Sequence, residues 1–507
     1  MISLNRLANI GQTLLIMVAS VYPLVYLAIA LMRLSYPFEL EWMEGSSVLN
    51  VQRVLAGQSL YVAPSLDFIP LLYAPLYYYV SALFALVTGN GILPLRLVSL
   101  LSSIGCFAFI FMIVCRRTSS LYASFIAACL FAATYRISGA WFDIARIDSL
   151  FLFLLLAGLY AFDSPRALTR SLVSPMLFFL SFFTKQTALP IALCLAAAAL
   201  VTRKRSERFM FLLTFSVLMA GSFVIMNTLT NGWYKFFVFE LPGQHEILKT
   251  FLVDFWTKDI LKQLPVAFCL CMIPFLKFGA GTHSKSGQTI QDIMVLGALF
   301  MASYLSRLHR GGWDNVLMPV YAGIAIYFGI GMAQLLKALG GKDNFRIVLI
   351  IALALQFMSL FYWPQQQIPS TRDRQQGEKL MQLISSFKGE VYCSDHPWYL
   401  LKQNKPAQAQ DCTIWDILRA TGTEQWQSNL QQQMATAVAE RRYEAFIVDN
   451  EDFRLRVPDF EMYYKLADSN LSGKVFLPVT GWERKPTCLF IRRTNEATPA
   501  QIAKPHR

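Results

Sequence analysis

Between residues 12 and 363 the chain is a succession of apolar runs separated by short polar or basic turns: 12–32, 95–115, 119–135, 148–163, 172–184, 187–201, 209–227, 261–277, 291–306, 316–336 and 346–363. A helix needs about 20 apolar residues to cross the hydrocarbon layer, and a backbone inside that layer must satisfy its own hydrogen bonds. Eleven such runs in sequence therefore predict a polytopic α-helical membrane protein. The composition agrees: 55% of the 507 residues are hydrophobic and only 15% are charged, where a soluble domain carries about 25% charged residues. At the N-terminus, Asn5-Arg6 followed by apolar residues to Met32 lacks a convincing cleavage site and reads as a retained first span.

The net charge of +13 is unevenly placed. Residues 1–363 carry 26 Lys and Arg against 15 Asp and Glu, a difference of +11, and residues 364–507 carry 19 against 17, a difference of +2. The excess thus sits in the lipid-embedded part, where it sets topology and meets anionic head groups, which argues against a nucleic-acid partner. One run decides the sides. Residues 71–88, LLYAPLYYYVSALFALVT, are apolar enough to cross, yet Pro75 and four tyrosines (Tyr73, Tyr77, Tyr78, Tyr79) crowd the first half, and tyrosine favours the interface. If the run crossed, Arg116, Arg117 and the cluster Arg203-Lys204-Arg205 with Arg208 would lie outside. If it lies along the outer surface, one inner side collects Arg6, Arg116, Arg117, Arg166, Arg170, the 203–208 cluster, Lys277, Lys285, Lys337, Lys342 and Arg346. The second assignment is adopted, as an amphipathic surface or re-entrant helix. Eleven crossings then place residue 364 outside. The short runs 172–184 and 187–201 meet at Thr184-Lys185-Gln186, which predicts a hairpin turning below the outer surface.

Beyond Pro364 the sequence becomes mixed and polar, marking a boundary between a membrane domain (1–363, with outer-face amphipathic helices in 33–94) and a small extracytoplasmic α/β domain (364–507). Arg372–Phe387 and Glu424–Tyr443 read as helices there, and Glu390–Cys393, Ala445–Asp449, Val475–Val479 and Cys488–Ile491 read as short strands. The nine cysteines form no CxxC pair. Whether Cys393 and Cys412 bridge in an oxidising compartment stays open from sequence.

Charges near the membrane are costly, so their grouping is informative. The outer side collects Glu39, Glu41 and Glu44 in FELEWMEGSS, then Asp67, and Asp143 and Asp148 in WFDIARID. It also collects Arg53, Arg96, Arg136, Arg146, Lys185, Arg307, His309 and Arg310. Carboxylates beside cations suit displacement of a phosphate from a sugar carbon, which needs a base for the incoming hydroxyl and cations for the leaving phosphate. Plainer roles compete: Glu39 reads as a solvated loop residue, Glu44 also suits a helix start, Lys185 also suits a snorkelling span end, and the turn around Arg307–Arg310 also suits interface anchoring.

Five stretches in order resemble the GT-C glycosyltransferase superfamily, the polytopic enzymes that use polyprenyl-phosphate sugars and include protein mannosyltransferases and lipid A aminoarabinose transferases. EWMEGSSVLNVQRVLAGQSLY is similar to its acidic first outer loop and surface helix, and YAPLYYYVSALFALVTGNGILPLRLVSLL to its second surface helix. RIDSLFLFLLLAGLYAF with LSFFTKQTALPIAL resembles the later Arg-x-Asp and Thr-Lys segments, and WDNVLMPVYAG a late Leu-Pro segment. The resemblance implies an inverting transfer from a polyprenyl-phosphate sugar to a hydroxyl on a glycan, lipid or protein, at the outer face of a bacterial cytoplasmic membrane. It implies Glu44 or Glu41 as base, Lys185, Arg307, His309 and Arg310 as donor-phosphate ligands, and Arg146, Asp148 and Tyr73 around the acceptor cleft. No cofactor is assigned. Many relatives carry an Asp-Glu pair where this chain has Met43-Glu44; whether Glu41 substitutes for the missing Asp stays open from sequence, and with it a divalent metal site that would need both acids. Two other classes fit the composition: a lipid flippase or transporter, and a non-catalytic membrane scaffold.

Overall fold

The computed structural model describes residues 4–244, 246–276, 286–471 and 479–493. It divides into two compact units: Met1–Ser35 with Leu72–Ile368, and Tyr36–Leu71 with Pro369–Arg507. Lys277 and Lys285, assigned to the inner side from sequence, lie outside the described residues.

The first unit is a helix bundle. Its leading helices are α1 (Leu4–Leu34), and, after α2 (Glu44–Leu55) of the other unit, α3 (Leu76–Thr88), α4 (Ile92–Thr118), α5 (Leu121–Ala133), α6 (Asp148–Phe162), α7 (Ser174–Thr184), α8 (Ala188–Thr202) and α9 (Arg205–Leu229). Pro265–Met272, Ser286–Leu308, Met318–Leu339 and Asp343–Ser359 follow. A helix stands at each of the eleven expected positions. Five of the helical stretches are long and apolar enough to cross a membrane: Leu4–Leu34, Ile92–Thr118, Arg205–Leu229, Gly287–Leu308 and Asp314–Leu339. α3, the disputed run, has 13 residues.

Small residues let these helices approach closely. A Cβ on Gly331 would stand 2.0 Å from the carbonyl oxygen of Leu270, so only glycine fits that crossing. At one end of the bundle, Arg117 pairs with Asp292 at 2.6 Å and Asp163 at 3.3 Å. Gln291 donates to Asp163 and accepts from Arg203. The C-terminal ends of α4, α6 and α8 therefore meet the N-terminal part of Ser286–Leu308, and Arg117 and Arg203 fall together as the charge pattern expects. Their positive charges are neutralised by carboxylates that hydropathy alone does not reveal.

The second unit is built on a four-stranded sheet of β1 (Glu390–Cys393), β2 (Tyr443–Val448), β3 (Tyr464–Asp468) and β4 (Cys488–Arg492), in the order β1-β2-β4-β3. β1 and β2 run parallel, with Tyr392 opposite Phe446, and β4 pairs antiparallel with both β2 and β3. Helices Thr371–Ser386 and Glu424–Ala439 accompany it. The first begins at a capping box, Ser370 with Asp373, which satisfies two otherwise unpaired helix N–H groups. Tyr443, expected at a helix end, opens β2, and β3 was not expected. Of the expected strand Val475–Val479, residues 475–478 lie outside the described residues. Cys393 and Cys412 are both free thiols.

Residues 36–71 belong to this unit. Leu66 lies in the same hydrophobic cluster as Tyr392, Phe446, Phe460 and Phe490, and its backbone pairs with Gln433 Oε1 at 2.9 Å and the Ala409 N–H at 2.8 Å.

Candidate functional site

In the helix bundle the charged residues converge on Asp148, the first residue of α6. The chain breaks at Lys185 between α7 and α8, leaving Lys185 extended, with φ −148° and ψ 123°, so its side chain turns inward instead of continuing a helix face. Its Nζ donates to Asp148 Oδ1 at 2.6 Å. Asn315 Nδ2 donates to the same oxygen at 3.0 Å, and Trp141 Nε1 donates to Oδ2 at 2.9 Å. Donors from three separate segments thus aim at one buried carboxylate. An isolated carboxylate there would be expensive, and the ammonium with two neutral donors offsets its desolvation.

Arg146 lies beside this group. Its Nη2 donates to the Tyr73 hydroxyl at 3.1 Å, and its guanidinium stands 5.4 Å from the Trp141 ring centroid. Lys185, Asp148, Arg146 and Tyr73, named from sequence for two different subsites, therefore form one continuous cluster through Trp141. Asn315 and Trp141 are additions that sequence reasoning did not identify as site residues. Each sits within or beside a stretch singled out for its charges, and a polar residue bordering such a stretch is the available signal.

The Arg307–Arg310 turn is arranged differently. Arg307 donates to both oxygens of Asp259, at 2.9 and 3.2 Å, to the Gly312 carbonyl at 2.9 Å, and pairs with Asp314 at 3.1 Å. Its charge is already compensated by two aspartates, of which sequence analysis did not consider Asp259. Because Asp314 adjoins Asn315, this network meets the Asp148 cluster through consecutive residues. His309 Nδ1 is buried without a hydrogen-bond partner among the described residues. Arg310 is 62% exposed and pairs with Glu246, equally exposed, at 2.9 Å. Asp143, one of the grouped outer acids, is held by Arg33 at 2.6 Å in a fully buried pair. That assigns it to holding α1 against the 134–147 segment.

In the second unit lie the three glutamates of the first loop. All are buried, Glu39 at 6%, Glu41 at 1% and Glu44 at 0% exposure. Glu44 opens α2, and its Oε2 accepts from the Leu40 N–H at 2.6 Å, while its own N–H donates to the Glu41 carbonyl at 2.9 Å. Glu41 Oε2 accepts from the Met43 N–H at 3.2 Å. The loop closes on itself through its carboxylates, and the positive end of α2 favours the ionised form of Glu44. Glu39, expected to be solvated, instead meets His396 Nδ1 at 2.5 Å. The reason is distance in sequence, since its partner lies 357 residues away. Gly45 fits this crowding, as a Cβ there would stand 2.2 Å from Glu39 Oε1 and 3.0 Å from Trp398.

Behind the loop lies a second acidic group. Asp411 accepts from Tyr392 and pairs with Arg456 at 3.0 Å, and Asp395 lies 3.6 Å from Arg484. Burial pushes the Asp395 carboxyl well above the usual range, helped by Asp449 and Asp411, and burial likewise raises Asp411. Burial raises Glu39 against the opposing pull of His396. For His396 burial alone would lower the imidazolium, but Glu39 and Asp449 outweigh it and hold it well above its ordinary value. Among the described residues no three His, Cys, Asp or Glu side chains converge as a metal ion would need.

No family profile matches this sequence, and no curated protein matches it either. Solved structures do. ArnT from Cupriavidus metallidurans bound to undecaprenyl phosphate aligns with a TM-score of 0.59 at 11% identity, over 94% of this chain and 98% of ArnT, and its apo form scores 0.58. The archaeal oligosaccharyltransferase AglB from Archaeoglobus fulgidus, in complex with an inhibitory peptide and a dolichol-phosphate, aligns with a TM-score of 0.51 at 12% identity, over 88% of this chain and 72% of AglB. ArnT is a lipid A aminoarabinose transferase, and both proteins belong to the GT-C superfamily. At these identities the likeness is one of architecture, and the chain has the fold of the GT-C glycosyltransferases.

Proposed function

We propose that this protein is a membrane glycosyltransferase that takes a sugar from a polyprenyl-phosphate donor and passes it, with inversion, to a hydroxyl acceptor at the outer face of a bacterial cytoplasmic membrane. The observation that carries the reading is the buried Lys185–Asp148 pair at a helix break, within a fold shared with a protein solved with undecaprenyl phosphate. An ammonium has three N–H donors, and Asp148 uses one, so Lys185 can keep its internal counter-ion and still meet a phosphate. Asp148 would hold that ammonium in place. Arg146 and Tyr73 would line the approach.

Glu44 would take the acceptor proton, with Glu41 the alternative. The start of a helix favours a negative charge, and a base needs a carboxylate that can take a proton. Arg307, already occupied by Asp259 and Asp314, would serve donor binding by holding its turn in shape, while His309 and exposed Arg310 would contribute charge near the phosphate. The tail from residue 364 would be extracytoplasmic and help select the acceptor. The transporter reading draws no support from the bundle, whose described ionic groups lie near helix ends.

Mass spectrometry of lipids that remain with the purified protein tests the reading. Enrichment of a polyprenyl phosphate or its glycosylated form over bulk phospholipid is expected. Phospholipid alone, with no response to added undecaprenyl phosphate, would remove the donor assignment.

A further inference from the structure

The loop 36–43 has no regular secondary structure, yet it carries two buried glutamates and leads into a third. Irregular backbone is normally mobile unless something fixes it. Here the ties come from the far end of the chain. Lys402 Nζ donates to the Pro37 carbonyl at 2.6 Å, the Glu39 N–H to the Tyr399 hydroxyl at 3.3 Å, the Thr480 N–H to the Leu40 carbonyl at 3.2 Å, and Gln410 Nε2 to the Trp42 carbonyl at 3.1 Å. Each is a hydrogen bond to backbone or hydroxyl. The contact of Glu39 with His396 joins opposite charges.

His396 is enclosed. Its ring stacks on Tyr399 with centroids 5.6 Å apart and planes 13° from parallel. Nδ1 meets Glu39, and Nε2 is buried 3.5 Å from Asp449 Oδ2. We propose that His396 is the positioning residue of the acidic loop, holding Glu39 and through it the turn that presents Glu41 and Glu44. The catalytic meaning of that hold rests on the function proposed above, but the hold itself does not.

A protonated ring donates to Glu39 and compensates its buried charge. When the ring loses its proton it can still share one hydrogen bond, but Glu39 and Asp449 then flank an uncharged ring, Asp395 and Asp411 add negative charge beside Asp449 with Arg484 as the nearby cation, and Glu44 adds negative charge beside Glu39. Two buried carboxylates beside a neutral ring are unfavourable, so the loop should let go.

Hydrogen exchange of the full-length protein in detergent tests this without any substrate. Exchange of the 38–44 amides is followed from pH 5.5 to 9.5 and divided by the rate of an unstructured peptide of the same sequence. In the native protein, protection of this loop should fall about tenfold or more as pH rises, as expected when a charge-assisted contact is lost. β2 amides should lose far less protection than the loop over the same range. In His396→Gln the loop should be weakly protected at every pH, and in Glu39→Gln its transition should move to lower pH because the ring has lost its main partner. Flat loop protection in the native protein, or a loss shared equally by β2, would overturn the proposal, and the native series needs no variant to fold. Transfer activity measured on the same preparations should follow loop protection. A loop that is released while transfer continues unchanged would leave the lock standing and overturn instead the role given to Glu41 and Glu44.

Discussion

The two units solve the same problem, buried charge, in opposite ways. In the helix bundle one carboxylate, Asp148, is served by donors from Lys185, Asn315 and Trp141, all near helix ends or turns of the bundle. In the other unit one irregular loop carries Glu39 and Glu41 and leads into Glu44, and their contacts include the loop's own N–H groups and one distant histidine. A group fixed by packed helices can hold a charged ligand with little reorganisation, as phosphate binding requires. A loop held through a titratable contact such as Glu39 with His396 can be released by a change of pH. The bundle should therefore be sensitive to loss of a partner, and the loop unit to pH.

The largest effect expected from this contrast is at Asp148. Asp148→Asn leaves the Lys185 ammonium buried without its counter-charge, a loss worth about 3–5 kcal/mol for a buried pair. Thermal unfolding followed in detergent should show a clear drop, and an unchanged melting temperature would mean the pair is open to water. Next is Glu44→Gln, which keeps the oxygen that accepts from Leu40 but cannot take a proton. Transfer should fall about 100-fold or more with stability nearly unchanged. A proportionate loss of both would assign Glu44 to the loop's structure, and full activity with an inactive Glu41→Gln would move the base three residues upstream.

How much of this contrast is readable from sequence follows from the range of each interaction. Apolar runs are local, so helices stand at all eleven expected places, and the break at Thr184-Lys185-Gln186 is visible as an interruption of periodicity. The strands at Glu390 and Cys488 are equally local. What stayed hidden is long-range. Nothing near Glu39 announces His396, nothing near Arg307 announces Asp259, and nothing in residues 36–71 says that they pack with the chain beyond Pro369. Solvation was the natural reading for Glu39, since a charge flanked by loop residues finds its partner only in three dimensions.

The pH response sharpens the comparison further. Glu39, Asp395 and Asp411 have raised carboxyls, and His396 has a raised imidazolium. Each therefore binds its proton more firmly in the folded unit than in the unfolded chain. The aspartates' contribution begins to fade above about pH 4, and that of His396 is complete below its unfolded value of about 6.5 and fades as pH rises through its higher folded value. The second unit should thus be more stable at pH 5.5 than at 8.5, measured as protection of the β2 amides after correction for intrinsic rate. The opposite slope would contradict the buried pairing. The smallest effect is at Arg310, whose exposed pair with Glu246 is worth about 0.2–1 kcal/mol at most. Arg310→Gln should leave the melting temperature within error and weaken donor binding only slightly.

The central claim is that the bundle holds the phosphate of a polyprenyl donor at Lys185. Its most direct measurement is the affinity of the purified protein for undecaprenyl phosphate, compared between the native chain, Lys185→Gln and Arg307→Gln. A charge-assisted phosphate contact is worth roughly 1.5–3 kcal/mol, so Lys185→Gln should bind about 10- to 100-fold more weakly. Arg307→Gln should lose less, because its guanidinium is already engaged by Asp259 and Asp314. Equal affinity for the native chain and Lys185→Gln, or no binding by the native chain, would contradict the account.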